Sequence, residues 1–328
     1  MNQLYRGAFS VKCALKNHVL EGNRMLLQKN IVGKRFKIAF ITDWHLGNAA
    51  SSDECIGKMV ELIGQNNWYW WHLGDAFEAT DLNNSYFEPL VHKARTSEIK
   101  YQAEDFVSRV KPIKKRCLAL HKGNHDQRRS ICNVFDPMPY AREQLGIKVP
   151  VADQIKIRVA EHCTILGKHS RIYVSSRAKG SQQQRYTNEC ESIKNKLIRT
   201  SGIADCHAVV CGHGHKIRIA PPVENTDLYG IDKLHHITND RYVGGDGTCL
   251  HNDSRYYAMC GGALRTTIAQ VYDPEADPIK SSTGEVLSKG TVDISTYSER
   301  KGYGYTDLGF VLATVDGGRL VNMEGIKL

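Results

Sequence analysis

The chain of 328 residues contains no run of eighteen apolar residues, so no membrane-spanning helix is expected. Its opening stretch, MNQLYRGAFSVKCALKNH, has neither a continuous apolar core nor a small-residue cleavage site. No signal peptide is read there, and a cytoplasmic location is the expectation. Ten cysteines occur, at 13, 55, 117, 132, 163, 190, 206, 211, 249 and 260, and no two stand at C-x-x-C spacing. That argues against a structural zinc site of paired thiolates. A chain of this length buries a core without disulfides, so most of these cysteines are expected as buried free thiols. Internal repeats and low-complexity segments are also missing, and the length fits one large domain or two modest ones.

What is present is an ordinary globular balance, 41% apolar and 24% charged residues. The formal net charge of +9, with a pI near 9.0, favours polyanionic partners, because clustered Lys and Arg concentrate phosphates. A basic but unselective surface explains the same number equally well.

Residues 1 to 34 read as an N-terminal extension, and 35 to 328 as the main domain. In the latter, apolar strand Ile38 to Ile41 runs into the polar loop Thr42-Asp43-Trp44-His45. Ser51-Ser52-Asp53-Glu54 has capping-box spacing, and Ile56, Met59, Val60 and Ile63 follow at helical intervals. The aromatic strand WYWWHL ends in Gly74-Asp75; Trp68, Trp70 and Trp71 on it read as core packing rather than a base-stacking platform. A second amphipathic helix carries Ile99, Ala103, Phe106, Val107 and Val110, and CLALHKGNHD is again a strand followed by a loop. Strands alternating with helices imply an α/β fold, in which ligands bind beyond the carboxyl ends of strands.

After residue 150 the pattern changes. Ile155, Ile157 and Val159 alternate, and short strands are expected at Thr164–Leu166 and Arg171–Val174. A helix from Gln184 to Arg199 precedes another strand and loop, HAVVCGHGH. The polar stretch 216–256 reads as a loop-rich excursion, and the C-terminal segment as a hairpin turning at Gly317-Gly318.

Chemistry-bearing residues gather at these strand ends. Asp43 and His45 stand at i and i+2, as do His213 and His215; Asp75 offers two oxygens that can bridge two ions, and Asn124 a neutral oxygen. Mixed oxygen and nitrogen donors suit manganese, iron or zinc. Each piece alone is commoner by chance than by function, but four in this order, all at strand-to-loop junctions, form a joint signal.

The series DWH (43–45), GD (74–75), GNHD (123–126) and GHGH (212–215) resembles the calcineurin-like metallophosphoesterase superfamily over residues 36 to 216. The resemblance implies two mixed β-sheets packed as a sandwich, flanked by helices, with a dinuclear metal centre. By position, Asp43, His45 and His215 would hold one ion, Asn124 and His213 the other, and Asp75 both. His125 would be the general acid, oriented by Asp126. Two divalent ions, manganese preferred, would clamp an in-line displacement by a bound water or hydroxide. Arg128 is a candidate phosphate contact, with an exposed loop arginine as the equal alternative.

One ligand departs from the pattern. The family commonly supplies a further His at a strand end between GNHD and GHGH. Here the strand RIYVSSRAKG places Ser176 at that spacing, and a neutral hydroxyl is a poor ligand. His169, seven residues earlier in GKHSR, reads as part of a hairpin turn and is a tentative ligand only. A water, His235, His236 or His251 are other substitutes. The leading functional expectation is a phosphodiesterase or nuclease acting on nucleic acid or nucleotides. It draws on the basic charge, a general resemblance to the DNA-repair exonuclease branch, and the segment YSERKGYGYTDLGF (297–310), similar to C-terminal parts of phage and prokaryotic members. A phosphomonoesterase on protein or nucleotide substrates, and a metal-poor scaffold of the same fold, are the competing readings.

Overall fold

The computed structural model describes residues 35–80, 99–127, 135–172, 180–223, 250–266 and 305–328 continuously, along with residues 31 and 174. Short strands between 16 and 28 and between 227 and 292 are described at the level of the backbone. In chain order the elements are β1 (Lys16–Val19), β2 (Arg24–Gln28), β3 (Arg35–Ile41), α1 (Asp53–Gln65), β4 (Tyr69–His72), α2 (Ile99–Val110) and β5 (Cys117–His121). Then come α3 (Pro137–Leu145), β6 (Val151–Ala152), β7 (Gln154–Ala160), β8 (Cys163–His169), α4 (Gln182–Leu197), β9 (Ala208–Gly212) and β10 (Arg218–Ala220). Two strands within the expected excursion, β11 (Asp227–Ile231) and β12 (Ile237–Arg241), pair with each other, and β13 (Tyr256–Met259) follows. After two small pairs, β14 (Val271–Tyr272) with β17 (Thr291–Val292) and β15 (Ile279–Lys280) with β16 (Val286–Ser288), the chain closes with β18 (Gly309–Asp316) and β19 (Arg319–Lys327).

Two mixed sheets result, and the protein is an α/β sandwich. One has the order β19-β18-β3-β4-β5-β6, with β3, β4, β5 and β6 parallel, β18 antiparallel to β3 and β19 antiparallel to β18. The other has the order β1-β2-β7-β8-β9-β13-β10, with β8, β9 and β13 parallel. The first two strands thus belong to the second sheet: β2 pairs in parallel with β7.

The period of two along each strand sorts side chains between faces. On β3, Ile38 and Phe40 point into the layer between the sheets, with Trp71, Ala119, Ile155, Ile157, Ile165, Ala208 and Val210. Ala39 and Ile41 face the opposite way, against α1, α2 and α3 through Ile56, Met59, Phe106 and Ala141. The outer face of the second sheet, with Leu166, Val209 and Met259, is covered by Ile193 and Leu197 of α4. Helix, sheet, sheet and helix therefore form the layers.

Local signals explain several boundaries. Ser52 accepts from the Cys55 N–H at 3.3 Å and caps α1, whose first turn carries Asp53 and Glu54 toward the positive end of its dipole. Gly317 and Gly318, with φ of 54° and 80°, supply the two left-handed positions that a tight β18–β19 turn requires. Trp70 and Trp71 are fully buried, and the Trp70 indole donates to Ile113 O at 2.9 Å, in keeping with core packing. Seven cysteines, at 55, 117, 163, 190, 206, 211 and 260, are buried free thiols, and burial pushes Cys163, Cys206 and Cys211 up to about 12. Among the described residues no helix is long and apolar enough to cross a membrane.

One strand assignment fails. Arg171, Ile172 and Val174 lie outside any strand, and β8 instead continues through His169. Parallel pairing to β9, from Ile165 opposite Ala208 to His169 opposite Gly212, carries the strand past Gly167. A Cβ on Gly167 would come within 2.7 Å of the Trp71 ring, so this glycine makes room for the facing sheet rather than forming a turn.

Candidate metal centre

The parallel strands β3, β4 and β5 of one sheet and β8 and β9 of the other end at a common pole, and each delivers a candidate ligand there. Asp43, Asp75 and Asn124 follow β3, β4 and β5; His169 ends β8; His213 and His215 follow β9. Nine of the residues singled out in the sequence, Asp43, His45, Asp75, Asn124, His125, Asp126, His169, His213 and His215, are brought to this pole.

Among the described residues three groups of side chains have geometry that could hold an ion: Asp43 with His45 and His215, Asp75 with His169 and His213, and His45 with Glu78 and His125, of which the first two consist of residues singled out as ligands in the sequence. In the first, Asp43 Oδ1 lies 3.6 Å from His215 Nε2 and 3.8 Å from His45 Nε2. In the second, Asp75 Oδ2 lies 3.1 Å from His169 Nε2 and 3.9 Å from His213 Nδ1. Asn124 Oδ1 is 3.2 Å from His169 Nε2 and joins the second group. Asp75 Oδ2 is also 3.9 Å from His45 Nε2, so this one oxygen faces both groups. Asp43 Oδ1 and His45 Nε2 are buried without a hydrogen bond among the described residues. Burying polar atoms this way is costly unless a cation satisfies them, so the donors fit divalent ions.

The backbone is contorted to achieve this. Among the described residues, seven other than glycine have left-handed φ; five are Asp43 (52°), His45 (49°), Asp75 (51°), His213 (84°) and His215 (49°). Such conformations cost on the order of 1–2 kcal/mol per residue and persist where surrounding bonds over-determine them. Those bonds are present. Asp43 Oδ2 accepts from His213 N–H and Asp75 Oδ1 from His125 N–H, each at 2.8 Å, so each carboxylate keeps its other oxygen for the pocket. Gly123 is required beside them, because a Cβ there would lie 2.0 Å from Asp75 Oδ1.

Hydrogen bonds set the imidazole faces. His169 Nδ1–H donates to Leu73 O at 2.9 Å, which turns Nε2 toward Asp75 and Asn124. His45 Nδ1–H donates to Glu78 Oε2 at 2.9 Å, turning its Nε2 inward. His169, expected mainly as a turn residue, is therefore the histidine at the strand end between GNHD and GHGH. Ser176, His235, His236 and Arg128 lie outside the described residues. His251 is exposed, 3.5 Å from Asp253, and does not enter the pocket groups.

Asp126 is buried beside these loops. Its carboxylate accepts from the N–H groups of Gly123 (2.8 Å) and Phe77 (3.1 Å), tying the GNHD loop to the loop after β4. Burial and the neighbouring charge of Asp75 lift it to about 6. Glu78 stands at the His125 ring: His125 Nδ1–H donates to its carbonyl at 3.0 Å, with carboxylate Oε1 at 3.4 Å. Sequence reading missed Glu78; the available signal was an acid three positions past Asp75. Its Oε2 also accepts from Asn48 Nδ2 at 3.2 Å, and its Oε1 from Thr80 Oγ1 at 3.0 Å.

Charge in the pocket is strongly organised. Burial opposes ionisation of Asp43 and Asp75, yet His215 and His45 around the first, and His169 and His125 around the second, hold both carboxyls well below the ordinary range. Burial likewise opposes protonation of His169 and His45, but Asp75 lifts His169 to about 9, and Asp43 and Glu78 raise His45 well above the usual value. Burial lowers His215 to about 4, and takes the core residues His72 and His121 to about 3.

No protein-family model matches the sequence, and no curated protein matches it. Among solved structures the chain is similar to a metallophosphoesterase from Sphaerobacter thermophilus, at 12% identity over 89% of each chain with a TM-score of 0.28. It is also similar to GAP50, the anchor in the inner membrane complex of Plasmodium, at 11% identity over 90% of each chain with a TM-score of 0.27. Overlaps this low carry no functional argument, which rests on the pocket itself.

Proposed function

We propose that the chain is a metal-dependent phosphoesterase, with phosphodiesters of nucleic acids or nucleotides as its substrate class and two divalent ions, manganese preferred, as its cofactor. One observation carries the reading: Asp75 Oδ2 faces two separate sets of buried oxygen and nitrogen donors. Asp43, His45 and His215 would hold one ion, Asn124, His169 and His213 the other, and Asp75 both. When bound, such a pair supplies positive charge to a phosphate and acidifies water for attack.

The chain's own residues complete the chemistry. His125 donates through Nδ1 to the Glu78 carbonyl, so Nε2 is its remaining nitrogen, suited to protonate a leaving oxygen. Glu78 aligns that ring while also fixing His45, which couples the proposed acid to a proposed ligand. The basic balance of the chain supports a diester in a polyanion over a small neutral substrate.

The test is turnover of bis(p-nitrophenyl) phosphate and p-nitrophenyl phosphate by the purified chain with Mn2+, repeated after chelation. Faster diester turnover that chelation abolishes is expected. Monoester turnover alone would replace the substrate class, and silence toward both by a chain that binds Mn2+ would leave a scaffold.

Ion binding should also release protons. At pH 7 the ion-free pocket keeps His169, near 9, and His45, also raised, protonated. An ion needs those lone pairs, so its apparent affinity rises with pH up to the folded pKa values, about tenfold per pH unit for each proton displaced. Calorimetry in two buffers of different ionisation enthalpy should register net proton release at pH 7; none would mean that these imidazoles are not ligands.

A further inference from the structure

The segment 297–310 drew attention in the sequence without acquiring a role, and its residues from Tyr305 onward are described. Asp307 within it touches both sides of the pocket through the main chain. Its N–H donates to His215 O at 2.8 Å, and its Oδ2 accepts from Ile217 N–H at 3.0 Å, so it brackets the turn that leaves His215. Its carbonyl accepts from Gly262 N–H at 3.1 Å, and the next residue, Ala263, donates to Asp43 O at 3.0 Å. A side chain at Gly262 would meet Asp43 Cβ at 2.8 Å, which shows how closely this loop lies against the ligand.

The bracket is itself held. Arg218 Nη1 donates to Asp307 Oδ2 at 2.7 Å, and the same guanidinium bonds to Glu189, a buried carboxylate on α4. Lys216 Nζ reaches Glu189 at 3.1 Å, and Lys327 Nζ reaches Asp307 Oδ1 at 3.0 Å. The basic residues following His215 are thus clamped between α4 and the C-terminal segment.

We propose that Asp307 is a positioning residue for the Asp43–His45–His215 half of the pocket. It rests on the metal reading above. The physical reason is the left-handed His215, with φ of 49°. A lone residue in that region relaxes unless its neighbours are fixed, and relaxation would swing the imidazole away from Asp43 Oδ1. Asp307 fixes the carbonyl of His215 and the N–H two residues on, so the strained turn has no free end. A purely structural role, tying the C-terminal hairpin to the body, would instead leave ion affinity in the folded protein unchanged.

The experiment is a Mn2+ titration followed by electron paramagnetic resonance of the free ion. It uses wild type and a His169→Ala background, in which the second group has lost a donor and the first is intact. Within that background Asp307→Ala is expected to raise the Mn2+ Kd at least about tenfold, the range seen when partners that orient ligands are removed. Asp307→Asn, which keeps an oxygen for the Ile217 N–H, should lose less. Lys327→Met removes only the exposed ion pair and should match its parent. Circular dichroism confirms that each variant is folded, and the conservative Asn variant keeps the test open if the Ala variant is not. Folded Asp307 variants with their parent's affinity would overturn the inference alone. An equal loss in Lys327→Met would overturn it in favour of simple tail anchoring. A wild-type chain that takes up no Mn2+ would overturn the metal reading and this inference together.

Discussion

Asp75→Asn should leave a folded protein whose phosphodiester turnover falls on the order of a thousandfold, the scale of losing a central electrostatic group in an active site. The substitution preserves shape, and the amide oxygen can still accept the 2.8 Å bond from His125 N–H. What disappears is the charge at Oδ2, an oxygen that faces both donor groups. Mn2+ stoichiometry should drop below two per chain in the same samples. The carboxylate also sustains the raised pKa of His169, so the neutral amide should bring that imidazole down and shrink proton release on ion binding. Thermal unfolding of the ion-free variant should stay within a few degrees of wild type, because one amide exchanged for a carboxylate neither opens a cavity nor adds bulk. Undiminished turnover would remove Asp75 from the reaction and with it the dinuclear reading.

The second large effect concerns the ligand whose place the sequence assigned to Ser176. His169→Ala should weaken the second ion by about ten- to a hundredfold and lower turnover in proportion, whereas Ser176→Ala should leave both within about twofold of wild type. Nε2 of His169 lies 3.1 Å from Asp75 Oδ2 and 3.2 Å from Asn124 Oδ1, at the centre of the second donor group. Its Nδ1 is committed to Leu73 O, so the ring cannot turn away without abandoning a buried carbonyl. The result that would sink this assignment is the reverse pattern, with loss of the second ion in Ser176→Ala and retention in His169→Ala. Extra Mn2+ should restore part of the His169→Ala turnover, since a weakened site is refilled by mass action. No such rescue is expected for Asp75→Asn, whose charge is missing from both groups.

Much of this protein was legible in one dimension. The apolar run Ile38–Ile41, alternation at Ile155, Ile157 and Val159, helical spacing from Ile56 to Ile63, and the capping-box spacing from Ser51 are local regularities, because their causes lie within a few residues. The polar loops after β3, β4, β5 and β9 were legible for the same reason: a sharp change from apolar to ligand-type residues marks a strand end. From these followed the α/β class; the two mixed sheets were an expectation of the resemblance carried by DWH, GD, GNHD and GHGH.

What the sequence left open depended on partners far away along the chain. Gly167 reads locally as a turn, and only its packing against Trp71 in the other sheet shows that β8 runs on to deliver His169. Asp126 follows His125 directly, yet its carboxylate accepts from Phe77, 49 residues away, while Glu78, 47 residues away, holds the His125 ring. His72 and His121 end β4 and β5 shortly before Asp75 and Asn124, yet burial lowers both imidazoles to about 3 and neither belongs to the groups that could hold an ion. The sequence by itself determined where most of the strands of the two sheets fall and which of their loops carry the candidate ligands, since those choices follow from short-range periodicity. Which nitrogen and which carboxylate oxygen face the pocket was decided by tertiary structure alone, because that depends on the register of two sheets whose contacts no local pattern encodes.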